Sequence, residues 1–174
     1  PPTLLRRQRQ MCIRDSPYFY FTWGAAVSEA LLDINTGENR ILRADIVQDC
    51  GKSLNESIDV GQIEGGFVQG LGWLTCEELY FSQEGKLLTT GPSTYKLPGS
   101  RDIPKVFNVK LLENADNEEK TIFRSKAVGE PPLLLAISHF LAIKEAIKAS
   151  SDMSKPQLLN SPATPTEILR ILRS

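Results

Sequence analysis

The chain has 174 residues, 41% of them hydrophobic and 24% charged, a composition suited to one globular domain with a real core. A formal net charge of −1 gives no field to gather nucleic acid or an acidic membrane surface, and no apolar run approaches the roughly 20 residues of a bilayer-spanning helix. Three scattered cysteines (Cys12, Cys50, Cys76), no CxxC pair and a single histidine speak against structural zinc and fit reduced thiols in a soluble, cytoplasmic protein with neither nucleic-acid nor membrane partners.

Residues 1–16, PPTLLRRQRQMCIRDS, differ in texture from the rest. Four arginines against one aspartate give a net charge of +3 with no strand or helix period, and no apolar segment follows that would make a signal peptide. The string RQRQMCIRDS resembles translated sequencing-adapter read-through, on which reading the native sequence starts near Pro17 and its upstream part is missing. The alternative is a genuine disordered basic arm. Domain organisation is therefore read as a leader over 1–16, non-native or disordered, and one unit over 17–174.

From Tyr18 the aromatic and β-branched run YFYFTWGAAVSEALLDINTGE and the run RILRADIVQDCG read as two antiparallel strands joined at Asn35 to Asn39. A mostly helical stretch follows from Asp59, a candidate N-cap, to about Leu79. Ile63, Phe67, Leu71 and Leu74 repeat at helical spacing and form one buried face. Gly61, Gly65, Gly66, Gly70 and Gly72 lie in the same stretch, each costing about 1 kcal/mol relative to alanine. Their presence requires a close approach to the helix backbone, by a neighbouring helix, a bound cofactor or both.

Ser82 to Leu88 contains a Gln-Glu-Gly turn and reads as a hairpin; Ser93 to Pro104 reads as an ordered loop. VFNVKLLE and TIFRSKAV read as further strands, and LLLAISHFLAIKEAIKA, Leu133 to Ala149, as the clearest helix. A flexible connector, Ser150 to Pro156, leads to a short helix capped by Thr164 with Pro165 at its first position. The order points to an α+β fold, antiparallel strands packed with two main helices.

Nucleotide-binding and hydrolase motifs (GxGxxG, GxxxxGK[ST], GxSxG) are absent, and His139, alone on an apolar helix, reads as a packed or partly exposed helix residue rather than part of a triad. Glu130 in VGEPPLLLA stands out. The following proline pushes its backbone toward extended conformations, and Pro131 and Pro132 suit the first helical positions, so Glu130 falls at a helix N-cap, where glutamate is a poor capping residue. The helix N-terminus favours its anion while an apolar pocket would favour its acid, a balance that suits a general base. An acidic residue placed only for the helix dipole is the plainer reading. Gln62, in DVGQIEGGFVQG, carries a neutral amide able to donate to an oxo or carbonyl group; Glu64 and Gln69 read as solvent-facing or structural.

DIVQDCGKSLNESIDVGQIEGGFVQGLGWLTCEELYF, GPSTYKLP, SKAVGEPPLLLAISHFLAIKEAI and LNSPATPTEILR together resemble the molybdenum-binding (large) part of xanthine dehydrogenases, in the xanthine oxidase/aldehyde oxidase family of molybdenum hydroxylases. The likeness runs from about Tyr18 to Arg173. It implies the C-terminal portion of a molybdopterin-binding domain, from an enzyme of purine catabolism that oxidises hypoxanthine and xanthine to urate by water-derived hydroxylation, with hydride passing to the molybdenum centre. Glu130 would be the catalytic general base, Gln62 would hydrogen-bond an oxo ligand of the cofactor, and Gly129 would admit a close backbone approach. No side chain here is expected to ligate the metal. Iron–sulfur clusters, FAD and NAD would sit on other domains or a partner subunit, with the full assembly a dimer. Purine-clamping residues would lie upstream of Pro17, so this chain alone is expected to be inactive. The rival readings are an aldehyde oxidase-like hydroxylase and a non-catalytic interaction domain.

Overall fold

Alternating apolar and polar residues set the register of the first two strands. Gly24–Leu32 (β1) and Asn39–Gln48 (β2) pair antiparallel, with Ala25 opposite Val47 and Val27 opposite Asp45, and a shift of register between Glu29 and Ala30. The expected turn is present. Asp33 accepts the backbone N–H groups of Asn35 and Thr36 on its side chain, and Gly37 takes a φ of 75° that a side chain would strain. The computed structural model describes residues 19–150 and 158–173. The leader, and the connector beyond Ser150, fall outside the described residues.

Helix α1 spans Glu56–Thr75, beginning earlier and ending sooner than the sequence pattern predicts. Asn55, not Asp59, is the N-cap, because its extended backbone lets the side chain accept from the Ile58 N–H at 3.3 Å. Asp59 instead accepts from the Ser53 hydroxyl at 2.6 Å. The predicted apolar face holds: Ile63, Phe67 and Leu71 are buried against Ile41, Ala44 and Ile46 of β2, with Leu74 at the margin. Phe67 meets the ring of Phe107, centroid to centroid, at 5.5 Å.

Val106–Leu111 (β3) is a strand as expected, but it pairs with β2 in parallel, giving a mixed sheet of order β1-β2-β3. A parallel pair needs a long crossover connection, and the helix and loop between Gln48 and Val106 supply it. Between α1 and β3, Phe81 bridges Leu87 around Gly85, so the hairpin predicted there exists in minimal form. TIFRSKAV is not a strand. Phe123 and Arg124 have φ of 50° and 62°, which no strand accommodates, and Ile122–Arg124 closes as a single 3-10 turn.

The last apolar run starts as a 3-10 segment, Pro131–Ala136, and becomes α-helical over Ile137–Ser150 (α2). Pro165–Leu172 (α3) is capped as predicted, Thr164 Oγ1 accepting from the Glu167 N–H at 3.3 Å. A second core joins Ile143 and Ile147 of α2 to Leu159, Ala163, Ile168 and Ile171. His139 is packed, 2% exposed, with Nε2 3.4 Å from Asn39 Oδ1 and Nδ1 unpartnered among the described residues; burial lowers its pKa to about 4. The α+β expectation stands, with the helices on one face of the sheet.

Candidate active site

Gln62, Gly66 and Gly70 lie one helical turn apart on a single side of α1. That side meets the segment from Gly129 to Ala136. A methyl group on Gly66 would come within 2.8 Å of the Gly129 carbonyl oxygen, and one on Gly70 within 2.3 Å of the Leu133 carbonyl oxygen. The glycines are thus explained in part by a neighbour, and the neighbour is the 3-10 segment that follows Glu130. Gly61 and Gly65 differ: a methyl group on either would meet nothing within 4 Å.

The same contact brings the sequence-predicted site residues together. A methyl group on Gly129 would stand 3.1 Å from Gln62 Oε1, so glycine keeps the backbone beside the amide clear. Glu130 follows immediately. Gln62, Gly129 and Glu130 are all exposed, and among the described residues neither the Gln62 amide nor the Glu130 carboxylate makes a side-chain hydrogen bond or ion pair.

Two expectations for Glu130 need correction. Its backbone is helical (φ −90°, ψ −40°), not extended, because its carbonyl accepts the Leu133 N–H at 3.1 Å and closes the 3-10 turn against α1. Its carboxylate is exposed rather than set in an apolar pocket, and it caps nothing. Glutamate at that position therefore does no local structural work.

A pair that sequence reading missed lies just upstream. Lys126 Nζ is 2.6 Å from Asp49 Oδ2, with side chains 10% and 0% exposed, and Asp49 Oδ1 accepts the Gly51 N–H at 2.8 Å. The available signal was an aspartate set against the apolar end of β2. Among the described residues no group of three or more His, Cys, Asp or Glu side chains could hold a metal ion, so these residues would meet a metal cofactor as hydrogen-bonding and acid–base groups around it. An amide, open backbone and an exposed carboxylate fit the edge of such a group. No helix among the described residues is long and apolar enough to cross a membrane.

The exposed Gln62 amide of α1 thus stands beside Gly129, with the exposed Glu130 carboxylate next in the chain. Residues 8–104, more than half of the chain, match the molybdopterin cofactor-binding domain family, and the chain belongs to it. The match begins inside the leader and includes Gln62. It is 54% identical over 159 residues to xanthine dehydrogenase/oxidase of Felis catus, covering 88% of this chain and 12% of that protein. A xanthine dehydrogenase of Dictyostelium discoideum is 49% identical over 152 residues, with 86% and 11% covered. The chain thus spans about 12% of the length of its curated relatives. Among solved structures, quinoline 2-oxidoreductase from Pseudomonas putida 86 superposes with a TM-score of 0.69 at 26% identity, over 82% of this chain and 17% of that one. Aldehyde oxidoreductase from Desulfovibrio desulfuricans gives 0.67 at 25%, over 86% and 15%.

Proposed function

We propose that this chain forms one wall of the active site of a molybdenum hydroxylase acting on purines, with Glu130 as its general base and Gln62 and Gly129 against the cofactor. The observation that carries the reading is the convergence of those three residues through the packing of Gly129–Ala136 on α1. When bound, the molybdenum cofactor supplies the oxidising centre for water-derived hydroxylation of an electron-poor carbon. The chain's own residues supply proton handling and placement. An exposed carboxylate with no capping hydrogen bond is available to accept a proton at one of its oxygens and hold it beside the reacting atoms. The Gln62 amide donates a hydrogen bond to an oxygen of the group without adding charge, and the bare Gly129 keeps the approach open beside it.

The purine assignment is supported by identities of 49–54% to proteins named xanthine dehydrogenase/oxidase and xanthine dehydrogenase. Iron–sulfur, FAD and NAD groups belong, on this reading, to other domains or a partner subunit of a cytoplasmic, dimeric assembly, and the 174 residues alone turn over no xanthine. The test is Glu130→Gln in the full-length parent. Turnover is expected to fall by about 100- to 10,000-fold, the range of a lost general base, with molybdenum content retained. Unchanged turnover removes Glu130 from the chemistry and leaves the interaction-domain reading.

A further inference from the structure

We infer that the buried Asp49–Lys126 ion pair is a positioning clamp for Glu130, an inference that rests on reading Glu130 as the base. Glu130 sits between two anchors. On its C-terminal side, Pro132 and Ala136 are buried against the glycine face of α1. On its N-terminal side the chain arrives from an irregular stretch that includes the positive-φ residues Phe123 and Arg124. A loop of that kind has no strand ladder to hold its register.

Asn117, Thr121 and Arg124 tie the stretch to itself through the Ser125, Asn117 and Glu118 carbonyls, and its attachment to the end of β2 is made beside Ser125. Gly51 and Ser125 form an isolated antiparallel bridge; the Lys126 N–H donates to the Cys50 carbonyl at 2.8 Å, and the Lys52 N–H donates to the Arg124 carbonyl at 3.0 Å. The Ala127 N–H donates to the Tyr20 hydroxyl at 2.9 Å. Across this short ladder, Lys126 Nζ reaches Asp49 Oδ2 at 2.6 Å. Asp49 is itself immobilised, its N–H donating to the Trp23 carbonyl at 2.7 Å and its second oxygen accepting from Gly51. Lys126 thereby ties the approach to Glu130, four residues on, to the end of the central strand.

Stability does not explain the choice of residues. A buried ion pair is matched or exceeded by well-packed apolar side chains of similar size, whereas a hydrogen-bonded charge pair admits one geometry and penalises slippage. The segment held in this way ends at the carboxylate, and a displacement near 1 Å at a reacting group lowers rate by about 100-fold.

The experiment compares Lys126→Met, Lys126→Arg, the double variant Asp49→Asn/Lys126→Met and Glu130→Gln in the full-length, cofactor-loaded parent. It measures kcat, KM, molybdenum content, and amide hydrogen exchange over residues 124–136. Lys126→Met and the double variant are expected to lose about 10- to 100-fold in kcat, with KM within about threefold and metal content unchanged. Their amides over 126–130 should exchange about tenfold faster while those of Glu56–Thr75 do not change, and Lys126→Arg should recover most of kcat. The double variant leaves no lone buried charge, so it decides the matter if the single variant does not fold. Full kcat in the double variant overturns the inference, as does a loss of kcat that only follows loss of metal, or failure of the double variant to fold. Turnover retained in Glu130→Gln overturns the base reading and the clamp with it. An inactive Glu130→Gln beside a fully active double variant overturns the clamp alone.

Discussion

Placing a methyl group at Gly65 and at Gly70, one helical turn and one residue apart on α1, separates intrinsic helix preference from tertiary contact. At Gly65 the new carbon meets nothing within 4 Å, so Gly65→Ala only removes the conformational penalty of glycine and should stabilise the 174-residue chain by up to about 1 kcal/mol. At Gly70 the same carbon would lie 2.3 Å from the Leu133 carbonyl oxygen and 2.8 Å from Ala136 Cβ. Neither is the end of a flexible side chain, so α1 and the 3-10 segment must move apart by about 1 Å. Overpacking of this kind costs about 1–3 kcal/mol, which offsets the helix gain and leaves a net loss of up to about 2 kcal/mol. The two variants should therefore differ by the overpacking cost, about 1–3 kcal/mol, or roughly 2–12 °C in Tm for a chain of this length. Urea and thermal unfolding followed by circular dichroism measure both. Equal midpoints would mean that the segment carrying Glu130 does not lie against α1, and the convergence of Gln62, Gly129 and Glu130 would fall with it.

His139 makes stability depend on pH. Folding favours its neutral ring, so the unfolded chain takes up a proton near pH 6.5 while the folded one resists until about 4; stability is complete above about pH 7 and declines by about 3 kcal/mol as pH falls to 4. Urea midpoints at pH 7 and pH 4 should show that decrement largely removed in His139→Leu, and an undiminished decrement would assign it to other groups. Thr164→Ala removes the acceptor for the Glu167 N–H and should cost about 1 kcal/mol, seen as a lower unfolding midpoint and faster exchange in α3. No change there would mean that the cap hydrogen bond is not made in solution.

Local chemistry was the legible part of this protein. The Asn-Thr-Gly turn, the period of Ile63, Phe67 and Leu71, and Thr164 before Pro165 each depend on neighbours a few residues away, and each appears as expected. The unusual glycine content of α1 and the misfit of glutamate before two prolines were readable as anomalies requiring a cause. What they could not state was that one anomaly answers the other: Gly66 and Gly70 exist to receive the backbone of Gly129 and Leu133. The parallel pairing of β3, the helical backbone of Glu130 despite Pro131, and the Asp49–Lys126 pair joining positions 77 residues apart all depend on where distant segments land. Sequence alone determined which residues are chemically out of place. Only the tertiary structure decided which of them share a surface, because packing between remote segments, not local preference, sets the distance between an amide on one helix and a carboxylate at the start of another.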